Sequence, residues 1–218
     1  MAEAKLLSKA DANRMVEALS RAYPDVHYYL DFKTPIDLVA AAILSAQTRD
    51  DVTNAVTPKL FARYKTAKDY ANADMEELTG AVSRVSFAGN KARNIIKTMK
   101  IIDEKHKGKV PSNMEELLEL PGIGRKTANT ILINAYGVVV GIPVDVWVIK
   151  LAPRLGLSAN KNPDKIEQDL METLDKKYWN KITYIMKNHG RKICQKDPIC
   201  SQCPARNMCP KNGVTKQF

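Results

Sequence analysis

All four cysteines of the chain lie in one short stretch, at Cys194, Cys200, Cys203 and Cys209, with the spacing C-x5-C-x2-C-x5-C. Four thiols this close in sequence can surround a single metal centre. The opening segment MAEAKLLSKADANRM lacks the apolar core of a secretory signal, which predicts an intracellular, reducing location and argues against structural disulfides. Zinc sites usually use two C-x2-C pairs and this stretch has one, so an iron–sulfur cluster is favoured over zinc, although the spacing matches no ferredoxin pattern.

The charge balance indicates the kind of partner. The 218 residues include 34 Lys and Arg against 24 Asp and Glu, a formal net charge of +10. Such an excess favours a polyanion, with nucleic acid first among the candidates. The longest apolar stretches, 36–46 and 130–144, are too short or too interrupted for the ~18 apolar residues of a membrane span, so we expect no membrane association.

Helical patterns dominate the middle of the chain. Thr34 and Pro35 read as the N-cap and first residue of a buried helix that runs to Ala46. From Lys91, apolar residues recur at helical spacing as far as Ile102. The basic residues of that helix are predicted to form a solvated face off the apolar stripe: Lys91, Arg93, Lys97 and Lys100.

Further helices are predicted on either side of the sequence LPGIG. Ser112 and Glu115 have the spacing of a capping box that opens a short helix through Leu118. Three further segments, 126–136, 164–176 and 178–188, also read as helical. The β-branched run at 138–149 favours a strand on propensity, but Gly141 and Pro143 interrupt it. The chain is therefore predicted to be all-α.

The segment Leu120–Lys126 places two glycines between two helices. Gly122 and Gly124 permit unusual backbone conformations and a close approach to another surface. The N–H groups and positive dipole at the start of the following helix suit a DNA phosphate, and Arg125 adds charge. A simple tight turn between helices is the alternative interpretation. The same dipole disfavours a protonated amine on Lys126, and an amine must lose its proton before it can act as a nucleophile.

Several motifs together resemble the endonuclease III family of helix-hairpin-helix DNA glycosylases. They are Leu38–Asn54 with ILSAQTRD at its centre, LPGIGRKTAN from Leu120, Val144-Asp145, Asn188-His-Gly-Arg191 and the cysteine run. The resemblance extends from about Leu30 to Cys209, and the ordered combination is far more specific than any single motif.

The resemblance implies two all-α lobes with DNA across the cleft between them. One is a six-helix barrel with the helix-hairpin-helix, at residues 28–138. The other combines residues 1–27 with 139–218 and holds a [4Fe-4S] cluster on the four cysteines. The implied protein is a monomer that binds double-stranded DNA containing damaged bases or abasic sites.

The resemblance also implies roles for individual residues. Lys126 matches the nucleophile that attacks C1′ of an extruded nucleotide, and Asp145 the carboxylate that helps to activate it. Gln47 matches the residue that fills the gap left by the flipped base, and Phe87 lies near the apolar wedge. A solvated Gln47 and a core Phe87 are the alternatives. Asp50 matches an acidic residue facing the cleft.

The implied activity is removal of oxidised or damaged pyrimidines followed by β-elimination at the abasic site. The alternatives are a monofunctional T/G or U/G mismatch glycosylase and a non-catalytic DNA-binding module. The chain departs from the family at Val146-Trp147, where Thr-His is common, at Lys150, where arginine is usual, and in a first cysteine loop one residue shorter. Trp147 is expected to alter lesion preference.

Overall fold

The computed structural model describes residues 4–218, and every regular element in that range is helical. The α-helices are α1 (Lys9–Ala22), α2 (Pro35–Ser45), α3 (Asp50–Arg63), α4 (Ala67–Ala71), α5 (Met75–Ala81), α6 (Ala88–His106), α7 (Met114–Leu118), α8 (Arg125–Tyr136), α9 (Val146–Arg154), α10 (Pro163–Thr173) and α11 (Ile182–Lys192). Short 3-10 turns occupy Lys176–Tyr178 and Cys200–Gln202. The all-α prediction is confirmed. Within this range no helix is long and apolar enough to cross a membrane.

Two predicted helix starts can be compared with the observed caps. Thr34 caps α2 as expected, because its hydroxyl accepts from the Asp37 N–H at 3.1 Å and the Asp37 carboxylate accepts from the Thr34 N–H at 3.0 Å. The cap of α7 is Asn113, so the box predicted from Ser112 is wrong by one residue. The Asn113 amide accepts from the Glu116 N–H at 2.9 Å and donates to its carboxylate at 2.7 Å. The Asn113 side chain therefore caps the helix and also holds the Glu116 carboxylate.

The β-branched run at 138–149 forms no strand. The run has no regular secondary structure as far as Asp145, the N-cap of α9. Side chains take the place of a neighbouring strand: the Ile142 N–H donates to Glu167 of α10 at 3.2 Å, and Thr183 of α11 donates to the Pro143 carbonyl at 2.6 Å. Buried backbone groups need partners, and these two contacts fix the path of the chain into α9.

The chain divides into two compact units. The continuous unit is Tyr29–Val138, and the discontinuous unit combines the segment ending at Tyr28 with Val139–Phe218. In the continuous unit α2 is the central helix, since every residue from Ile36 to Leu44 is buried. It packs against α3, α6 and α8, and α6 packs also against α4 and α5.

The discontinuous unit has its own core. The apolar face of α1, with Met15, Val16 and Leu19, packs with residues of α9, α10 and α11. Cys194 belongs to the same core, and Cys203 and Cys209 pack against it. The cysteine segment is therefore anchored on the helices of this unit.

Lys91 is placed differently from its prediction. Arg93, Lys97 and Lys100 are exposed on α6 as expected, but Lys91 is only 6% exposed. Its Nζ donates to the Leu44 carbonyl in the last turn of α2 at 2.7 Å and to the Thr48 hydroxyl at 2.8 Å. Carbonyls of a final helical turn lack intrahelical partners and attract cations, which explains the inward position. Burial lowers the pKa of Lys91 to about 8.

Candidate functional site

The glycine hairpin between α7 and α8 is held against α6. Gly122 has a φ of +85°, in the left-handed region, and a Cβ added there would lie 3.1 Å from the Asn94 amide nitrogen. Both the backbone conformation and the available space therefore require glycine at this position. Thr98 of α6 donates to the Pro121 carbonyl at 2.7 Å. These contacts fix the hairpin on α6.

Gly124 serves a different purpose from Gly122. Its φ of −99° is accessible to any residue, so the special conformation expected for both glycines applies to Gly122 alone. Gly124 is the N-cap of α8, no side chain caps the helix there, and an added Cβ would meet nothing within 4 Å. Glycine here keeps the start of α8 open to an approaching group, and Arg125 beside it is exposed.

Lys126 is the second residue of α8 and is half-buried. Its carbonyl accepts from the Thr130 hydroxyl at 2.9 Å. The following residues Ala128 and Asn129 are buried, so the helix is seated firmly in the continuous unit. Lys126 thus lies in the first helical turn of α8.

Asp145 is the N-cap of α9. Its Oδ1 accepts from the N–H groups of Trp147 at 2.9 Å and Val148 at 3.0 Å. The carboxylate is half-buried, and the positive end of α9 stabilises its charge. Both cap bonds go to one carboxylate oxygen, Oδ1.

Trp147 packs within its own unit, against α11. A Cβ added at Gly190 would lie 2.2 Å from the Trp147 Cε3 and 2.6 Å from Cζ3, so the indole lies directly on the α11 backbone. The Lys150 ammonium is 5.2 Å from the ring centroid, a cation–π distance. Gly190 is therefore a structural requirement of Trp147, a relation that sequence reasoning missed because the two residues are distant in the chain.

Gln47 and Phe87 are both exposed, Phe87 to 65%. The core interpretation of Phe87 is thereby wrong. Both residues have left-handed backbone angles, φ 53° for Gln47 and 57° for Phe87, which non-glycine residues rarely adopt. The two turns are joined, since the Ser86 N–H donates to the Thr48 hydroxyl at 3.1 Å. Asp50 lies close by in the chain as the half-buried first residue of α3.

All four cysteines are free thiols and line one pocket. Burial raises the pKa of Cys209 to about 11 and also raises that of Cys203. Arg154 Nη1 lies 3.6 Å from the Cys194 sulfur and donates to the Gln195 carbonyl at 2.5 Å. The thiolate forms of Cys203 and Cys209 thus need added positive charge.

His189 is a further residue of this pocket. It is fully buried, with Nδ1 3.1 Å from the Tyr23 hydroxyl and Nε2 3.6 Å from the Cys203 sulfur. Burial lowers the pKa of His189 to about 4, so the imidazole is neutral at pH 7. In the sequence His189 belongs to the motif Asn188-His-Gly-Arg191, to which sequence analysis assigned no function.

The hairpin and the cysteine pocket, in an all-helical chain, define a helix-hairpin-helix DNA repair protein. Residues 40–176 match the family described as HhH-GPD superfamily base excision DNA repair protein. Endonuclease III of Synechocystis sp. is 40% identical over 94% of this chain and 95% of its own length, and that of Bacillus subtilis is 36% identical over 93% and 95%. The chain belongs to the endonuclease III family, as the resemblance indicated.

Solved structures give the same relationship. A trapped endonuclease III–DNA covalent intermediate, an estranged-adenine complex, is 35% identical with a TM-score of 0.89 over 94% of this chain and 97% of that chain. A non-covalent endonuclease III–DNA complex matches to the same extent. A thermostable thymine-DNA glycosylase at 18% identity and a TM-score of 0.80 shares the fold.

Proposed function

We propose that this chain removes oxidised or otherwise damaged pyrimidines from double-stranded DNA and then cleaves the abasic site by β-elimination. The observation that carries the proposal is the match, at 35% identity over 94% of the chain, to an endonuclease III captured as a covalent DNA intermediate. A covalent intermediate requires a nucleophile on the protein. Lys126, half-buried in the first turn of α8, suits that role.

Lys126 and Asp145 divide the chemistry between them. The neutral amine of Lys126 bonds to C1′ while the base leaves with the electron pair of the glycosidic bond. Asp145 stabilises the positive charge that develops on the sugar. Ring opening converts the adduct into a Schiff base, loss of a C2′ proton expels the 3′-phosphate, and water then releases the lysine.

The hairpin binds a phosphate of the DNA backbone. Support comes from the open start of α8 at Gly124, where no side chain caps the helix, and from the exposed Arg125 beside it. The N–H groups and dipole of a helix start together bind anions. Gly122 sets the turn that presents them.

Gln47 and Phe87 contact DNA at the position of the extruded nucleotide. Both side chains are exposed on turns of the continuous unit that a hydrogen bond joins. The Phe87 ring is 65% exposed, and an apolar side chain of this kind can occupy a gap in stacked bases.

The four cysteines are suited to hold a [4Fe-4S] cluster. They line one pocket of the discontinuous unit, and buried thiols with raised pKa values need the positive charge that iron supplies. Across residues 4–218 no three His, Cys, Asp or Glu side chains are grouped closely enough for one ion. The cluster would cross-link the loops that follow α11, while Lys126 and Asp145 perform the reaction.

Borohydride trapping tests the proposed activity. Duplexes with an oxidised pyrimidine, a G·T mismatch or an abasic site are incubated with cluster-loaded protein, and covalent adducts are counted. We expect adducts on the first and third duplexes, absent in Lys126→Ala and retained in Lys100→Ala, which removes an exposed lysine of α6. Base release without an adduct would identify a monofunctional glycosylase. If cluster-loaded protein gives no adduct and releases no base, a non-catalytic DNA-binding module would be favoured.

Absorption spectra with iron, sulfide and zinc analysis of anaerobically purified protein test the cofactor. Iron and sulfide in equal amounts, lost in Cys209→Ser, would support the cluster. Zinc without sulfide would contradict it.

A further inference from the structure

The turns that carry Gln47 and Phe87 both contain an unfavourable backbone conformation. Each holds a non-glycine residue in the left-handed region, a backbone conformation that is unfavourable for residues with a Cβ. Such conformations persist only where surrounding contacts impose them. Both side chains are exposed, so their own packing does not provide these contacts.

Thr48 and Lys91 provide the contacts. The Thr48 hydroxyl, one residue after Gln47, accepts from the Ser86 N–H at 3.1 Å, one residue before Phe87. The same oxygen accepts from Lys91 Nζ at 2.8 Å, and Lys91 also donates to the Leu44 carbonyl at 2.7 Å. One buried ammonium therefore connects the end of α2, the Gln47 turn and, through Thr48, the Phe87 turn.

A lysine at position 91 suits this arrangement of hydrogen bonds. Lys91 lies one helical turn after Phe87, whose carbonyl accepts from the Lys91 N–H at 3.1 Å, so the lysine backbone also holds the start of α6. An uncharged side chain of equal length would fill the space without donating. The charge is costly to bury, and a position governed by packing alone would favour an apolar residue.

We propose that Lys91 is a positioning residue for DNA recognition, which acts through Thr48 to hold the Gln47 and Phe87 turns at a fixed separation. The inference rests on the proposed DNA contacts of Gln47 and Phe87. It assigns no step of the chemistry to Lys91. It implies that the two turns enter the duplex as one preformed unit, and that loosening their connection weakens insertion and leaves the Lys126 reaction intact.

A fluorescent base separates insertion from chemistry. The duplex contains 2-aminopurine opposite a tetrahydrofuran abasic analogue. The fluorescence of 2-aminopurine rises when that base is no longer stacked on its neighbours. Chemistry is followed by borohydride trapping on a single-stranded oligonucleotide with a natural abasic site, which needs no insertion. We expect Lys91→Met and Thr48→Val to need about tenfold more protein for the fluorescence change, equivalent to about 1.4 kcal/mol. Trapping on the single strand should stay unchanged.

Two conservative controls make the test specific. Thr48→Ser keeps the hydroxyl and should behave like the wild type, and Lys100→Met removes an equivalent exposed charge from α6 without affecting insertion. If Lys91→Met does not fold, the comparison of Thr48→Val with Thr48→Ser decides the question.

The outcomes also separate the two proposals. If Gln47→Ala and Phe87→Ala leave the fluorescence change intact, the proposed DNA contacts are wrong. If those variants abolish it while Lys91→Met and Thr48→Val match the wild type, the positioning role of Lys91 is overturned.

Discussion

The contact between Gly190 and Trp147 gives a prediction in which the sign of a mutational effect depends on a second residue. Gly190 lies inside α11, where Gly→Ala normally stabilises a helix by about 1 kcal/mol. Here the added methyl would lie 2.2 Å from Cε3 and 2.6 Å from Cζ3 of Trp147. Overpacking of a rigid group costs about 1–3 kcal/mol. An approach as close as 2.2 Å places this cost in the upper part of that range, at about 2–3 kcal/mol. Subtracting the helix gain of about 1 kcal/mol, we expect Gly190→Ala to destabilise the protein by about 1–2 kcal/mol, or about 4 °C in Tm for a chain of this size.

The same change should stabilise the Trp147→Ala protein, because the clash is gone and the helix propensity remains. Urea unfolding followed by circular dichroism, on all four members of the double-mutant cycle, gives the coupling energy. We expect about 2–3 kcal/mol, within the range of residues in direct contact. An increase in stability with Gly190→Ala in the presence of Trp147, or equal effects in both backgrounds, would refute the packing argument.

Three further predictions follow from the caps, the turns and the buried lysine. Asp145→Asn should keep the cap of α9 and most of the stability but lose about 100-fold or more in glycosylase rate. Asp145→Ala should lose about 1 kcal/mol of unfolding free energy relative to Asp145→Asn, and equal stability of the two variants would contradict the cap. Phe87→Gly should be about 1 kcal/mol more stable than Phe87→Ala in urea unfolding, because glycine adopts the left-handed backbone without strain and both variants lack the exposed ring. A Phe87→Ala protein more stable than Phe87→Gly would show that the backbone at this position is not strained. Burial lowers the pKa of Lys91 to about 8 in the folded protein, below its value of 10.5 when unfolded, so the unfolded chain binds more protons between these pH values. The unfolding free energy of the wild type relative to Lys91→Met should therefore rise with pH from about 8 to 10.5, by up to about 1 kcal/mol per unit, and a flat difference would show that Lys91 titrates normally.

Local sequence signals predicted the local features. Thr34 and Pro35 located the start of α2, and the spacing from Ala92 to Ile102 located most of α6, because caps and apolar stripes are encoded within a few residues. The box predicted from Ser112 is displaced by one residue because Asn113 is an equally good N-cap residue and takes that position. The run at 138–149 has the local propensity of a strand, interrupted by Gly141 and Pro143, but its path is fixed by Glu167 and Thr183, which are distant in the chain.

The features that sequence could not predict depend on distant partners. Lys91 reads as one of several solvated lysines until the carbonyl of Leu44, on another helix, is placed beside it. Gly190 reads as a weak point of a helix until Trp147 covers it. The residue types of Gln47 and Phe87 do not predict their left-handed backbone conformation, because neither type favours it.

The discontinuous unit also affects how the chain folds during synthesis. The apolar face of α1, formed by Met15, Val16 and Leu19, finds its partners on helices that begin after Val139, more than a hundred residues later. At about 5–20 residues per second, a ribosome needs on the order of ten seconds to make that interval. The continuous unit has all its helices within this interval and folds first. For that time the apolar face of α1 is exposed on the nascent chain, where it is a binding surface for chaperones and, in chains stalled before α9, a cause of aggregation.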